Sequence, residues 1–359
     1  MKIALITIVD KKNYGNRLQN YAIQKILQDM GHDCVTIQYQ SYHSYKSFVR
    51  HKLFKRKRCI INDEHINAFN RFNSKYINMS DDIENALWTS WKFKTSYDAY
   101  IVGSDQVWNP YYDLGINLFM LSNVRNYKKI SLAASIGVSE LPEEKKRLYK
   151  TRISRFAHLS VREESAKTLL QDLFADKKIE VLIDPTLALN ISDWVKFEKK
   201  PSTIPKQKYV VKYILGKTEE KQNKDYNEFI LKNKYQSVEL YNKDIEEWYD
   251  IDPCEFLWLI HHAEMVITDS FHASVFAIRY NIPFVVVKRY TTSSKYGMES
   301  RFDELFKNTG IEPRYYDNGG FEKYLFTPDF DEDNVFKEKQ KRFFDYIQNC
   351  LNDIMDSVK

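Results

Sequence analysis

His272 is the residue of this chain best placed for proton chemistry near neutral pH. It lies in Val266-Ile-Thr-Asp-Ser-Phe-His272-Ala-Ser, followed by Val275-Phe-Ala-Ile-Arg-Tyr-Asn-Ile-Pro283 and Phe284-Val-Val-Val287. The pattern reads as a short buried strand, a polar turn, a small-residue helix, a stop and a second buried strand. The turn sets Asp269, Ser270 and His272 at the carboxyl end of a strand and the amino end of a helix. In open α/β sheets ligands bind there, because unpaired helix N–H groups face the crevice and attract anions. The plainer reading is a buried structural histidine; the flanking strand and the small residues Ala273 and Ser274 favour the functional one.

Three further turns carry the same kind of chemistry. Asn13-Tyr-Gly-Asn-Arg-Leu-Gln19-Asn20 joins a strand to a helix, so Gly15 can bring backbone close to a ligand, Asn16 can cap, and Arg17 can add a fixed cation. GxGxxG is absent, so this is not a dinucleotide fingerprint. Ile101-Val-Gly-Ser-Asp105-Gln-Val-Trp-Asn-Pro110 presents Ser104, Asp105 and Gln106 at a strand end, with Trp108 offering an apolar face suited to a sugar ring or another flat ligand. Asp105 can orient a hydroxyl or act as a base. Ser160-Val-Arg162-Glu-Glu-Ser165 places a guanidinium able to grip phosphate or carboxylate. Asp184, in Ile183-Asp-Pro-Thr186, reads as a turn cap, and Lys288 and Arg301 are further cations for the same cleft. The bland alternatives are a capped helix with a solvated arginine, an Asx turn with a buried tryptophan, and an arginine paired to Glu163 or Glu164.

The elements that must hold these turns follow from periodicity. Ile3–Val9 is a buried strand, Arg17–Met30 has a helical apolar period, Gly31 marks the helix end, and Cys34–Tyr39 is the next strand. This is a βαβ unit and predicts a parallel sheet covered by helices. Two such halves are predicted: residues 1–195 as one α/β domain and 196–335 as a second. Helix 336–359 returns towards the first. The fold class is therefore two doubly wound, Rossmann-like domains facing across a cleft, GT-B-like. Residues 42–91 read as a basic, aromatic and helical insertion within the first domain.

Composition narrows the function. The 359 residues are 43% hydrophobic and 29% charged, which fits a globular chain. The net charge of +5 is too small at this size to imply nucleic acid, and no nucleic-acid module is visible. Cys34, Cys59, Cys254 and Cys350 are scattered with no metal-ligand spacing, so reduced thiols and no metal are expected. The apolar run Ile3–Val9 lacks a cleavage site, and no stretch approaches the ~20 residues needed to span a bilayer. A cytoplasmic protein is the expectation, with a peripheral contact at the inner face of the membrane through the basic segment 42–58.

Taken together, Asn13-Tyr-Gly-Asn-Arg-Leu-Gln, Val102-Gly-Ser-Asp-Gln-Val-Trp-Asn, Ser160-Val-Arg-Glu, Ile183-Asp-Pro-Thr and Thr268-Asp-Ser-Phe-His resemble the polysaccharide pyruvyl transferase family. The resemblance implies a GT-B-like fold, phosphoenolpyruvate as donor substrate with no other cofactor, and a sugar or lipid-linked oligosaccharide as acceptor. It implies that His272 is the active-site histidine, Arg162 holds the donor, and Asp105 faces the acceptor. Asn16, Arg17, Ser104, Gln106, Trp108, Ser270, Lys288 and Arg301 complete the expected substrate site. Relatives often carry an arginine two residues before the histidine; this chain has Ser270 there, and Ala273 where many have glycine. Two rival functions share the scaffold: a glycosyltransferase using a nucleotide-sugar, and a non-catalytic glycan-binding protein.

Overall fold

The structure is a computed structural model that describes residues 1–9, 12–40, 63–85, 89–112, 116–288, 299–328, 330 and 332–357. The first sheet contains β1 (Lys2–Ile6), β2 (Asp33–Gln40), β3 (Met79–Asn85), β4 (Ala99–Val102) and β5 (Lys129–Ser131). Its order is β3-β2-β1-β4-β5, and every pairing is parallel. A two-stranded sheet of β6 (Leu159–Val161) and β7 (Ile179–Val181) continues beside β5 through the bridges Ile130 to His158 and Ala134 to Val161. The second sheet orders β8 (Tyr209–Tyr213), β9 (Gln236–Leu240), β10 (Met265–Thr268) and β11 (Phe284–Val286) as β11-β10-β8-β9, again all parallel.

Strand β1 shows why the sheet is buried on both faces. Ile3 and Leu5 feed one apolar cluster, and Ala4 and Ile6 feed another. Such a continuous apolar run is the signature of a parallel strand covered by helices on each side. Helix α1 (Tyr14–Asp29) starts where the Asn13 side chain accepts a bond from the Asn16 amide.

The reading of 42–91 as an inserted helical segment is corrected in its described part. After α2 (Glu64–Tyr76) the chain forms β3, which pairs with β2 and is an integral edge of the sheet. The Met-Ser-Asp-Asp-Ile-Glu-Asn sequence hides it, because acidic side chains on an edge strand erase the apolar alternation while discouraging edge-to-edge pairing. The segment 42–58, with its expected membrane contact, lies outside the described residues. Among the described residues no helix is long and apolar enough to cross a membrane. Cys34, Cys254 and Cys350 are free and buried.

The two lobes share one core. Tyr14 at the start of α1 stacks on Phe256 of α4 (Pro253–His261), ring centroids 4.4 Å apart, and packs on Tyr213 at the end of β8. The last described helix, α7 (Glu332–Asp356), spans both lobes. Its Lys339 donates to the Asn308 carbonyl in the second. Its Gln340 donates to the Leu187 carbonyl and its Tyr346 hydroxyl to the Ser131 carbonyl in the first.

Candidate active site

In each sheet the strand order reverses direction at one point, which is where doubly wound folds bind ligands. In the first sheet this point lies between β1 and β4. In the second it lies between β8 and β10. The turn after β4 is Gly103-Ser104-Asp105, and its backbone is forced. A Cβ on Gly103 (φ 140°) would lie 2.0 Å from the Leu132 carbonyl oxygen. Asp105 follows at φ 63°, a conformation that aspartate adopts more readily than most residues. The turn after β10 leads into α5 (Phe271–Arg279), capped by the Ser270 side chain. Asp269 fastens this turn to the end of β8 by accepting from the amides of Leu215 and Gly216 at 2.8 and 2.7 Å.

The two switch points meet at His272. A Cβ on Gly15, at the start of α1, would lie 2.2 Å from His272 Nδ1, so the imidazole rests directly on bare backbone of the opposite lobe. His272 Nε2 sits 3.7 Å from Asp184 Oδ2, beyond hydrogen-bonding distance. Asp184 is wholly buried at the cap of the short helix α3 (Pro185–Ala188) and binds four groups. Arg162 Nη1 donates to it at 2.7 Å and Ser104 Oγ at 3.3 Å. The Thr186 amide and hydroxyl donate at 2.9 and 2.7 Å. Burial alone would raise the Asp184 carboxyl, but His272, Arg162 and Thr186 outweigh it and hold the group well below the usual carboxylate range.

Arg162 is the hub of the charged cluster. Its Nε donates to Glu163 at 2.9 Å, its Nη2 lies 4.0 Å from Asp105, and its guanidinium covers the Phe271 ring at 4.5 Å. Burial opposes its charge, yet Glu163, Asp184 and Asp105 together strengthen its hold on the proton. Arg301, buried in α6 (Glu299–Thr309), lies 3.9 Å from Asp105 and faces the Gln106 amide. With the Gln106 oxygen turned towards it, the contacts are 2.7 and 3.0 Å. Burial, then the neighbouring Arg162 cation, lower the Arg301 pKa. Among the polar atoms of the cluster, Arg162 Nη2, Glu163 Oε2 and His272 Nε2 are buried without a hydrogen-bond partner in the protein. Such groups are rare in native interiors and ask for a reason.

Comparison with known proteins decides the family. The profile of the polysaccharide pyruvyl transferase family matches residues 13–289, which takes in all five turns. The chain belongs to that family. As a member it is a transferase acting on polysaccharide, built on the GT-B fold. No curated protein matches the sequence significantly. Among solved structures it is similar to the UDP-GlcNAc 2-epimerase of Methanocaldococcus jannaschii in complex with UDP-GlcNAc and UDP. That match has 13% identity and a TM-score of 0.54, and covers 97% of this chain and 100% of that one. It also matches the UDP-GlcNAc 2-epimerase of Neisseria meningitidis bound to UDP-GlcNAc, with 12% identity, the same coverages and a TM-score of 0.49. At 13% identity the first of these likenesses is one of fold.

Not every expected residue reaches the site of this family member. His272, Asp105, Arg162, Ser104, Gln106, Ser270 and Arg301 gather around the seam. Asn16 lies beside it, its amide nitrogen capped by Asn13 and its buried Oδ1 without a partner. Arg17 is corrected. It is fully buried in the first lobe, where its guanidinium donates to the Ile8 carbonyl, to Asn20 at 3.2 Å and to Asn73 at 3.4 Å. Trp108 is corrected too. It is 1% exposed, its Nε1 donates to the Phe119 carbonyl, and it packs edge-on to Phe156, so it is core and offers no sugar platform. Lys288 is exposed and lies over the Tyr315 ring at 5.4 Å.

The expected cationic pocket is therefore closer to balanced. Arg162, Arg301 and a protonated His272 face Asp105, Glu163 and Asp184. Sequence reasoning gave Asp184 only a capping role. The signal was its place at a further strand end, before Pro-Thr; no local pattern shows that β7 lies beside β6 and brings Asp184 to Arg162.

Proposed function

We propose that the chain transfers a pyruvyl group from phosphoenolpyruvate to two hydroxyls of a sugar in a polysaccharide or its lipid-linked precursor. The observation that supports this reading most is that Arg162 Nη2 and His272 Nε2, on two residues that both face Asp184, are buried without a hydrogen-bond partner in the protein. A guanidinium that still has an N–H to offer suits the carboxylate or phosphate of the donor. An imidazole held beside a carboxylate suits proton delivery.

In the proposed step His272, protonated, donates a proton to the methylene carbon of the donor, and the central carbon becomes electrophilic. One sugar hydroxyl attacks that carbon and the bond to phosphate breaks. A second hydroxyl closes the cyclic ketal. Of the two hydroxyl protons, one restores His272 and the other leaves with phosphate. Asp184 lies 3.7 Å from the imidazole and fixes the position of Arg162 through the bond to Nη1. The amino ends of α1 and α5 add partial positive charge, which partly offsets the balanced side chains.

The test is to incubate the purified chain with candidate acceptors and either phosphoenolpyruvate or a panel of nucleotide-sugars. Phosphate release that needs both phosphoenolpyruvate and acceptor is expected. Release of nucleoside diphosphate instead would replace the reading with glycosyl transfer. Sugar binding without turnover of any donor would replace it with a glycan-binding role.

A further inference from the structure

Glu198 is the residue that ends the helix Ile191–Phe197, on the segment that crosses towards the second lobe. His261 is the last residue of α4, and His262 caps it. Sixty-three positions separate Glu198 from His261, so no sequence spacing announces the group. In the fold, one ligand atom from each of Glu198, His261 and His262 lies within 4.8 Å of the other two.

Three details make the group more than a surface ion pair. First, His261 Nδ1 lies 3.1 Å from both carboxylate oxygens of Glu198. A tetrahedral zinc with bonds of about 2.0–2.1 Å sets its ligand atoms about 3.4 Å apart, so this edge needs little rearrangement. Second, His262 Nδ1 lies 2.9 Å from the Trp258 carbonyl. A carbonyl only accepts, so Nδ1 carries the hydrogen and Nε2 of the neutral ring keeps its lone pair. A histidine that donates one ring nitrogen to a carbonyl and offers the other is the usual support behind a metal ligand.

Third, both rings are clamped. His261 stacks on Tyr280 with centroids 4.3 Å apart at 11°, and His262 stacks on Trp258 at 4.2 Å and 19°. Ligands held in place lose less freedom on binding. The two lysines that follow Glu198 in the chain turn elsewhere. Lys199 turns to Asp252 and Glu255, at 3.5 and 2.7 Å, and Lys200 lies over the Trp258 ring at 5.8 Å. His262 is exposed and the other two are half-buried, which leaves an access path and room for water as a fourth ligand.

We propose that Glu198, His261 and His262 bind a divalent transition metal of the zinc class, pinning the crossing segment to the second lobe. Two imidazoles and one carboxylate suit zinc, cobalt or nickel better than magnesium or calcium, which prefer all-oxygen sites. The bound metal displaces the direct Glu198–His261 contact and ties three side chains from two elements into one unit. None of the three residues belongs to the His272 cluster, so the inference stands apart from the pyruvyl-transfer reading.

The experiment uses the full chain, stripped with a chelator and titrated with cobalt(II), then zinc(II). About one equivalent of cobalt should bind, with the visible absorption of a four-coordinate ion, and zinc should displace it. Zinc should also raise the Tm of the stripped protein, because a ligand of the native state stabilises it. Glu198→Gln and His262→Ala, each checked for an unchanged circular dichroism spectrum, should lose the absorption and the zinc-dependent rise. Absence of stoichiometric binding by the wild type would overturn the proposal. So would cobalt binding that persists undiminished in both variants.

Discussion

The turn after β1 and the turn after β10 are built alike, and the chain uses them in opposite ways. Each ends a buried strand, passes through polar residues and opens a helix capped by a side chain, Asn13 in the first and Ser270 in the second. Each places an ionisable residue in the first turn of its helix: Arg17 in one, His272 in the other. Arg17 folds back into its own lobe because the Ile8 carbonyl, Asn20 and Asn73 offer it acceptors there. His272 leans across the seam because Gly15 leaves a space the size of a side chain opposite it. Local sequence thus sets where a group starts, and the neighbouring elements decide where it goes.

The contrast is easiest to break at His272. His272→Ala should lower turnover by about 10²–10⁴ while the Tm changes little, as expected for loss of a general acid. Turnover equal to wild type would remove the imidazole from the chemistry.

Asp184 is the next lever, and its effect is on stability. Asp184→Asn removes one partner of a buried pair with Arg162, a change expected to cost about 3–5 kcal/mol at neutral pH, measured by denaturant unfolding. The pH dependence has a definite sign. A carboxyl held below its unfolded value of about 3.9 contributes stability that is complete above that pH and lost as the pH falls through the folded value. Wild-type stability should therefore drop below about pH 4, and the variant should show a shallower acid limb. An equally steep limb in both would mean that other carboxyls carry it.

Gly15→Ala tests the seam from the opposite lobe. A methyl 2.2 Å from Nδ1 must displace the ring, and a shift of about 1 Å in a catalytic group can cost around 10² in rate. The loss should vanish in a His272→Ala background, since no ring is then left to move. An equal loss in both backgrounds would place the role of Gly15 elsewhere.

The smallest effect belongs to the first corner. Arg17→Met should cost about 1–3 kcal/mol through acceptors left unmatched in the first lobe, with no change in the Michaelis constant for phosphoenolpyruvate. A raised constant would return Arg17 to the donor site and dissolve the contrast.

These two corners also mark how far the sequence could be read. Strand-turn-helix patterns located both, together with the Gly103–Asp105 turn, because parallel strands buried on two faces write continuous apolar runs. The five turns assembled as one site because a doubly wound sheet gathers its strand ends. Trp108 and Arg17 were misplaced for a shared reason. A large aromatic or a guanidinium next to a functional turn satisfies itself on whatever acceptors lie near, and those come from Phe119, Asn73 and Ile8, which no local pattern connects to it. Strand β3 went unseen because its charges follow from its edge position. Asp184 was underrated because its partners are Arg162 on one lobe and His272 on the other.

Helix α7 carries a consequence for how the molecule is made. Its apolar side chains Phe343, Ile347, Leu351 and Ile354 are fully buried, and its Gln340 and Tyr346 bond carbonyls of the first lobe. On the ribosome the first half emerges early and begins to fold. The groove that receives this helix stays uncovered until the helix itself has left the exit tunnel. The half synthesised first therefore waits for a segment that follows the second.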